Sequence, residues 1–402
     1  MGILGGILGP GGGKKKKRPV ERPAAARTPR EKPSKEYLEG FLKALTEGDV
    51  DARWNAVRAV GELGEPFIDA LVRGLQDPYW IIRRGSADTL GKIGAPAVPA
   101  LIEALKDEKE DIRQEVTRAI QLIGEPATEP LIRSLKSPSA AIRRGALQTL
   151  GGMGDVRVVP AIIETLKDEN HRVRQEAAVA LGRIGEGKAV TPLIELLNDP
   201  QETVRTAAMA TLVSLGQPTI EPLIRGLTDQ NVDVRRRASL VLTTIGTPAI
   251  EPLIRALGDE NPTARKGAAE VLGNIGDLRA IEALMNQLSD PERRVRIKSV
   301  HALAAMGTSA IAPLMDAFRD GESMVRNGAM EALWMIGAPA TAPLVDALAD
   351  SDTDIRKRAA LLLGEIGNQT AIDALNRALM DPDMTVRREA FEALEMIKRR
   401  NN

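Results

Sequence analysis

A short pattern recurs along nearly the whole chain and constrains the fold more than any other feature. An arginine preceded by Val or Ile, or by Ala at Arg53 and Arg265, recurs every 30 or 31 residues and defines twelve units. In the first eleven units a glycine follows eleven residues after the arginine. An acidic residue, replaced once by Ser137, precedes the arginine by six. A fixed period of this length indicates a repeat architecture.

All variation in period lies after the glycine. Four units carry one extra residue there, following Gly154, Gly185, Gly276 and Gly367, whereas six of the other units read Gly-x-Pro. Proline supplies a fixed φ for the shorter connection. We therefore expect a long and a short linker that join the same two elements.

Those elements are predicted to be helices. Apolar or small residues at −1, +3, +4, +6, +7 and +10 from the arginine follow a 3.6-residue period, and the glycine is suited to end the helix. The first half of each unit, such as "AIEPLIRALGDE", predicts a shorter amphipathic helix. Neither helix buries its apolar stripe alone, so the units must stack. The sequence predicts an all-α α-solenoid, an αα-superhelix of about twelve repeats, over residues 35–402.

Several chemistries lack their residues. The chain has no cysteine and only two histidines, His171 and His301, which are far apart in sequence. These facts exclude disulfides and thiolate nucleophiles and leave no paired histidines for a metal. We expect no enzymatic activity, no cofactor and no metal. The absence of cysteine and of a long apolar run favours a cytoplasmic protein.

Residues 1–34 differ from the repeats. They carry nine basic and two acidic residues and are rich in Gly, Pro and Ala without periodicity, which predicts a disordered basic tail. An apolar "ILGGIL" precedes the basic run Lys14, Lys15, Lys16, Lys17 and Arg18. Peripheral membrane contact, binding to nucleic acid or an acidic protein, and a plain solvated tail all stay open.

The repeat resembles a known family. Asp, "VR" six residues later, "A…LG.IG" and "AIEPLI.AL.D" are similar to HEAT repeats of the phycobilisome (PBS) lyase HEAT-like class, over about residues 36–398. The resemblance implies an armadillo-like superhelix whose second helices line the concave face. It also implies an Asp/Arg ladder between repeats, weakened at Ser137. The ladder residues are Asp77, Arg83, Asp107, Arg113, Asp168, Arg174, Asp199, Arg205, Asp229, Arg235, Asp259, Arg265, Asp290, Arg296, Asp320, Arg326, Asp350, Arg356, Asp381 and Arg387.

The phase of the repeat also predicts a groove. Positions +1, +5 and +8 lie opposite the core. The +1 row holds six basic and no acidic residues, and the +8 row is glycine in six of the twelve units but holds Trp334. Apolar residues on these rows are either partner contacts or buried between repeats. The predicted groove residues are Arg84, Arg144, Arg236, Arg237, Leu240, Lys266, Ile297, Lys298, Glu331, Trp334, Lys357, Arg358, Leu361 and Arg388.

Most aromatic residues lie at one end. Six of the nine, including Phe41, Phe67, Tyr79 and Trp80, precede residue 81. Because a solenoid must cover its exposed first repeat, we interpret most of this cluster as a cap.

Three functions compete at this point. The first is a non-enzymatic scaffold or adaptor that binds a partner protein, with acidic and apolar segments, along the groove. The second, from the resemblance, is a bilin lyase-like chromophore enzyme or chaperone. The third is binding to a nucleic-acid phosphate backbone, aided by the tail. The body outside the tail is acidic and poor in aromatic residues, so we expect no nucleic-acid binding by the folded body.

Overall fold

The chain forms a stack of twelve helical hairpins, one for each unit of the sequence. The computed structural model describes residues 35–60 and 64–401, which contain 24 α-helices and no strand. The prediction of an all-α solenoid is confirmed. The tail of residues 1–34, including its basic run, lies outside the described residues.

The first helix of each hairpin is usually short. The first helices are α1 (Lys35–Glu47), α3 (Ile68–Gly74), α5 (Val98–Ala104), α7 (Thr128–Ser134), α9 (Val159–Thr165), α11 (Val190–Glu195), α13 (Ile220–Gly226), α15 (Ile250–Ala256), α17 (Ile281–Asn286), α19 (Thr308–Asp320), α21 (Thr341–Ala347) and α23 (Gln369–Ala378). Three-residue 3-10 turns precede nine of them and follow α11 and α17.

The second helix carries the repeated arginine. The second helices are α2 (Val50–Val60), α4 (Trp80–Ile93), α6 (Glu110–Ile123), α8 (Ala140–Met153), α10 (His171–Ile184), α12 (Glu202–Leu215), α14 (Val232–Ile245), α16 (Pro262–Ile275), α18 (Arg293–Ala305), α20 (Ser323–Ile336), α22 (Thr353–Ile366) and α24 (Met384–Asn401).

The acidic residue of the repeat builds the turn before the second helix. In the seventh unit, the Asp229 carboxylate accepts a hydrogen bond of 2.7 Å from the Asn231 amide. The Asn231 side chain then caps α14 by accepting from the Asp233 amide at 2.9 Å. Both bonds satisfy backbone donors that a helix start leaves free. The apolar stripe of α14, including Val234 and Leu242, is consequently buried against its neighbours.

The glycine that precedes the linker has a different backbone conformation before a short linker, as at Gly94, than before a long one, as at Gly154. Gly94, before a short linker, has φ 85° and ψ −143°, a region open almost only to glycine. Gly154, before a long linker, has φ 69° and ψ 16°, the left-handed helical conformation. Asp155 then accepts a hydrogen bond from the Arg157 amide and starts the next turn. After Gly154 and Gly276 the additional residue therefore replaces a proline turn by a capped left-handed turn.

At three of the four long linkers, consecutive second helices approach to backbone contact. A Cβ added to Gly151 in α8 would lie 2.9 Å from Cα of Ala180 in α10, and one on Gly273 would lie 2.7 Å from Cα of Ala302. All four long-linker units have glycine at this +8 position. The prediction that the +8 row faces solvent is wrong for these units, because the missing side chains allow the next helix to approach.

The amino-terminal aromatic residues divide into two groups. Phe67 is fully buried, and its ring centroid lies 6.3 Å from that of Phe41 in an edge-to-face contact. Trp80 is 68% exposed and Tyr79 is half exposed at the start of α4. The cap interpretation is wrong for Trp80, because most of its side chain stays exposed, whereas Tyr79 places its ring over the Arg53 guanidinium of the first unit at 5.7 Å from the ring centroid.

Candidate functional site

Each repeated arginine forms hydrogen bonds within its own unit. Arg235 Nη1 donates hydrogen bonds of 2.6 Å to the Asp229 carbonyl and 3.0 Å to the Gln230 carbonyl. The arginine thus binds the backbone of the residue six positions earlier, while that residue's carboxylate holds the turn. The same carbonyl bonds form at Arg83, Arg113, Arg143, Arg174, Arg205, Arg265, Arg296, Arg356 and Arg387.

A second set of bonds joins neighbouring repeats, and it is complete only across the long linkers. Arg265 binds Asp290 of the next unit through Nε at 2.7 Å and Nη2 at 3.0 Å. The equivalent two-bond pairs are Arg143 with Asp168, Arg174 with Asp199 and Arg356 with Asp381. Such two-pronged guanidinium–carboxylate bonds are strong and fix the relative position of both groups.

The expected ladder is interrupted across the short linkers. Arg53 keeps one contact with Asp77 at 3.0 Å. At the other six short junctions, no bond joins the arginine to the corresponding residue of the next unit within the described part of the chain. A short linker places that residue 24 rather than 25 positions after the arginine. The arginines concerned are Arg83, Arg113, Arg205, Arg235, Arg296 and Arg326, opposite Asp107, Ser137, Asp229, Asp259, Asp320 and Asp350.

The complete pair at the last junction shifts the ionisation of its carboxylate. The hydrogen bonds from Arg356 are the main cause that holds the pKa of Asp381 below its usual range, against an opposing effect of burial. The same partnership raises the pKa of Arg356. Both groups therefore stay charged at neutral pH and bind the last two units together.

The predicted basic row is only partly free. Arg236 is 78% exposed, and its nearest carboxylate, Asp233, lies 4.0 Å away. Lys266 and Lys357 are partly exposed, and Arg144 is partly exposed near the partly buried Glu176, whose pKa burial raises. The other basic groove residues form ion pairs: Arg84 with Glu115 at 3.4 Å, Lys298 with Glu270 at 3.1 Å and Arg388 with Glu392 at 3.8 Å.

Two predicted groove arginines are held by the fold. Arg237 Nη1 donates a 2.9 Å hydrogen bond to the Leu197 carbonyl of the preceding unit. Arg358 Nη1 lies 3.6 Å from the Met330 sulfur, and Arg358 Nη2 is 4.0 Å from Asp354. The expectation that Arg237 contacts a partner is not supported by this geometry, because the side chain turns towards the previous repeat.

Short linkers leave clefts between consecutive second helices. Two of these clefts lie between α14 and α16 and between α18 and α20, with volumes of about 250 and 490 Å³. They are lined by equivalent repeat positions: the first by Leu227, Val232, Arg235, Arg236, Ser239, Lys266, Gly267 and Glu270, the second by Leu288, Arg293, Arg296, Ile297, Val300, Met324, Asn327, Gly328 and Glu331. Their shared register shows that the two clefts form at the same place in the repeat.

A third cleft, between α20 and α22, is mostly apolar. It has a volume of about 370 Å³ and is lined by Met330, Glu331, Trp334, Leu361, Leu362 and Glu365. Trp334 is 50% exposed, and Leu361 is partly exposed. The question of whether curvature buries Trp334 between repeats is answered here, because the splayed helices leave half of its surface open. Leu240 is likewise exposed, whereas Ile297 is partly buried.

Long linkers open the opposite side of the stack. Cavities of about 500 and 440 Å³ lie between α7 and α9 and between α21 and α23, which are pairs of first helices. Close contact of the second helices at these junctions is accompanied by separation of the first helices. At these five junctions, the second-helix face is open where the linker is short and the first-helix face is open where it is long.

This architecture agrees with a family model. The model for HEAT repeats matches residues 38–121, 68–135, 128–213, 220–290, 281–354 and 341–401. The chain belongs to the HEAT-repeat family. No curated protein sequence matches this HEAT-repeat protein.

Several solved structures are similar in part to this HEAT-repeat protein. The karyopherin Kap121p, bound to the extreme C-terminus of the protein phosphatase Cdc14p, is 14% identical with a TM-score of 0.41, covering 91% of this chain and 50% of that one. Human deoxyhypusine hydroxylase is 21% identical with a TM-score of 0.25, covering 76% of this chain and 97% of that one. The HEAT-repeat protein spans about half the length of the karyopherin. These scores carry no argument about function.

Sequence reasoning missed some exposed residues of the clefts. Arg293, Val232 and Met324 are exposed and line clefts, although none belongs to the +1, +5 or +8 rows. The sequence signal that could have identified them is their position in the repeat, which is three residues before the repeated arginine, or two before it for Met324. Among the described residues, no group of three His, Asp or Glu is arranged to hold a metal, and no helix is long and apolar enough to cross a membrane.

Proposed function

We propose that this HEAT-repeat protein is a non-enzymatic scaffold that binds a segment of a partner protein along the face formed by its second helices. The observation that carries the proposal is the cleft between α20 and α22, in which Trp334 is half exposed beside Leu361 and Met330. Tryptophan is enriched among residues that dominate binding energy, and exposed apolar clefts mark interaction sites. A partner side chain that filled this cleft would remove the apolar surface from water.

The finer assignments belong to the same proposal. We place the chain in the PBS lyase HEAT-like class because its repeats are 30–31 residues long. We also propose a cytoplasmic location, with membrane contact through residues 1–34 as an alternative. The chromophore reaction and nucleic-acid binding receive no support from the described geometry, since most basic side chains of the second-helix face are paired with carboxylates or carbonyls.

The test is affinity purification with mass spectrometry from cells that express the protein. Wild type is compared with Trp334→Ala and with Met335→Ala, a matched control that is exposed beside the cleft without lining it. We expect a protein partner that wild type and Met335→Ala recover equally and that Trp334→Ala loses. Recovery of no partner, or equal recovery by all three proteins, would contradict the proposed function.

A further inference from the structure

Two clefts of different character flank the same helix, α20. The cleft on the α18 side is lined by the side chains of Arg293 and Arg296, and the cleft on the α22 side is lined by Trp334 and Leu361. Glu331 lines both clefts and separates them. A single bound segment that crosses α20 would meet a basic site first and an apolar site second.

The basic cleft has an unused capacity to bind a carboxylate. Arg296 Nη1 is bonded to the Asp290 and Pro291 carbonyls, but among the described residues no carboxylate lies within 4.0 Å of its guanidinium or of that of Arg293. At the neighbouring long junction, the equivalent atoms of Arg265 hold the Asp290 carboxylate. The short linker after α18 withholds that partner from Arg296. An acidic side chain from another protein would complete the same arrangement.

The size of the clefts favours an extended segment over a helix. One turn of α-helix, about 11 Å wide and 5.4 Å long, occupies roughly 500 Å³. The apolar cleft, at about 370 Å³, is smaller than a helical turn, whereas the basic cleft, at about 490 Å³, has about the volume of one, so the apolar cleft carries the preference for an extended segment. Adjacent packed helices are about 8–10 Å apart. A polyproline II segment places residues i and i+3 on one side at a separation of about 9 Å.

We propose that the two clefts flanking α20 form one docking site for an extended segment of a partner protein. In this site an acidic side chain binds Arg293 and Arg296, and a large apolar side chain three residues later packs against Trp334. The segment carries no second acid between these two anchors, because Glu331 would repel it. The inference rests on the proposed scaffold function and specifies the chemistry of the partner.

The test uses the full chain and a fluorescently labelled peptide with the core Glu-Pro-Pro-Leu, followed by fluorescence anisotropy. Control peptides carry Gln in place of Glu or Ala in place of Leu, and a helical peptide places Glu and Leu seven residues apart. Arg293→Gln is matched by Arg294→Gln, whose exposed side chain neighbours the cleft without lining it. Trp334→Ala is matched by Met335→Ala.

We expect Arg293→Gln to weaken binding of the Glu peptide at least about tenfold, as loss of a charged hydrogen bond does, and to leave the Gln peptide unaffected. Trp334→Ala should weaken the Leu peptide and not the Ala peptide. Both matched controls should bind as wild type does. Circular dichroism of each variant shows whether it is folded.

Three results would overturn the docking site: no saturable binding up to about 1 mM peptide, equal effects of Arg293→Gln and Arg294→Gln, or tighter binding of the helical peptide. If affinity purification still recovers a partner that requires Trp334, the scaffold function stands and this docking chemistry is refuted. If the peptide binds as described and no partner is recovered, the cleft chemistry is supported and the proposed cellular function is contradicted.

Discussion

Replacing a ladder arginine should lower the free energy of unfolding much more at a long junction than at a short one. Arg265 and Arg235 make the same bonds to their own turn carbonyls, but only Arg265 also binds the next unit's carboxylate. The side chains of Arg265 and Asp290 are 13% and 5% exposed. Arg235→Gln is therefore a matched control that removes the shared bonds alone.

The loss of stability expected from each substitution depends on which groups lose their hydrogen-bond partner. Arg235→Gln loses charged bonds to two carbonyls that water can reach, which costs about 1–2 kcal/mol. Arg265→Gln leaves the Asp290 carboxylate buried with a hydrogen bond from the Glu292 amide and without its directly paired cation, with only the longer-range charge of Arg296 remaining, which costs about 3–5 kcal/mol. Arg265→Lys keeps the charge without the two-pronged geometry and should fall between them.

Hydrogen exchange measured by mass spectrometry suits this comparison, because a long repeat array does not unfold as one unit. Peptides from α16 and α18 should lose more protection in Arg265→Gln than peptides from α14 and α16 lose in Arg235→Gln. The expected difference is about 2 kcal/mol in the free energy of local opening. Equal losses, or a greater loss in Arg235→Gln, would refute the assignment of the inter-repeat pair as the dominant bond.

Three further predictions test the same account. Because Arg356 lowers the pKa of Asp381, the Arg356–Asp381 pair stabilises the fold above the usual carboxyl pKa, and this stabilisation should be lost as pH falls through the lowered pKa. The stability of α24 should therefore depend less steeply on pH in the acid range in Arg356→Gln. Gly151→Ala should be less stable than its neighbour Gly152→Ala by about 1–3 kcal/mol in urea unfolding, since the first added methyl meets the Ala180 backbone and the second only the flexible end of Gln121. Gly94→Asn should cost about 1–3 kcal/mol more than Gly154→Asn in thermal unfolding, because asparagine tolerates the left-handed conformation of Gly154 and not the ψ of Gly94.

The sequence alone determined the architecture of this protein. The arginine period, the 3.6-residue apolar stripe and the glycine eleven positions later each depend on local geometry, so they predicted twelve hairpins and their stacking. The sequence also separated the two linker lengths. It separated the three arginines of "DVRRRASL" into one ladder residue, Arg235, and two groove residues, Arg236 and Arg237. The structure places Arg235 on its own turn and Arg236 in solvent, but it places Arg237 on the Leu197 carbonyl.

Only the tertiary structure decided how the linkers act. The packing of successive second helices differs between the long junctions and the short junctions that carry clefts, and the +8 glycine permits close approach without fixing where the next helix lies. The consequences are the interrupted ladder, the contact of Gly151 with Ala180 and the open cleft at Trp334. Exposure of Trp334 and the missing partner of Arg296 both depend on where the next helix lies. Those properties arise from packing between units, whereas the repeat pattern describes each unit by itself.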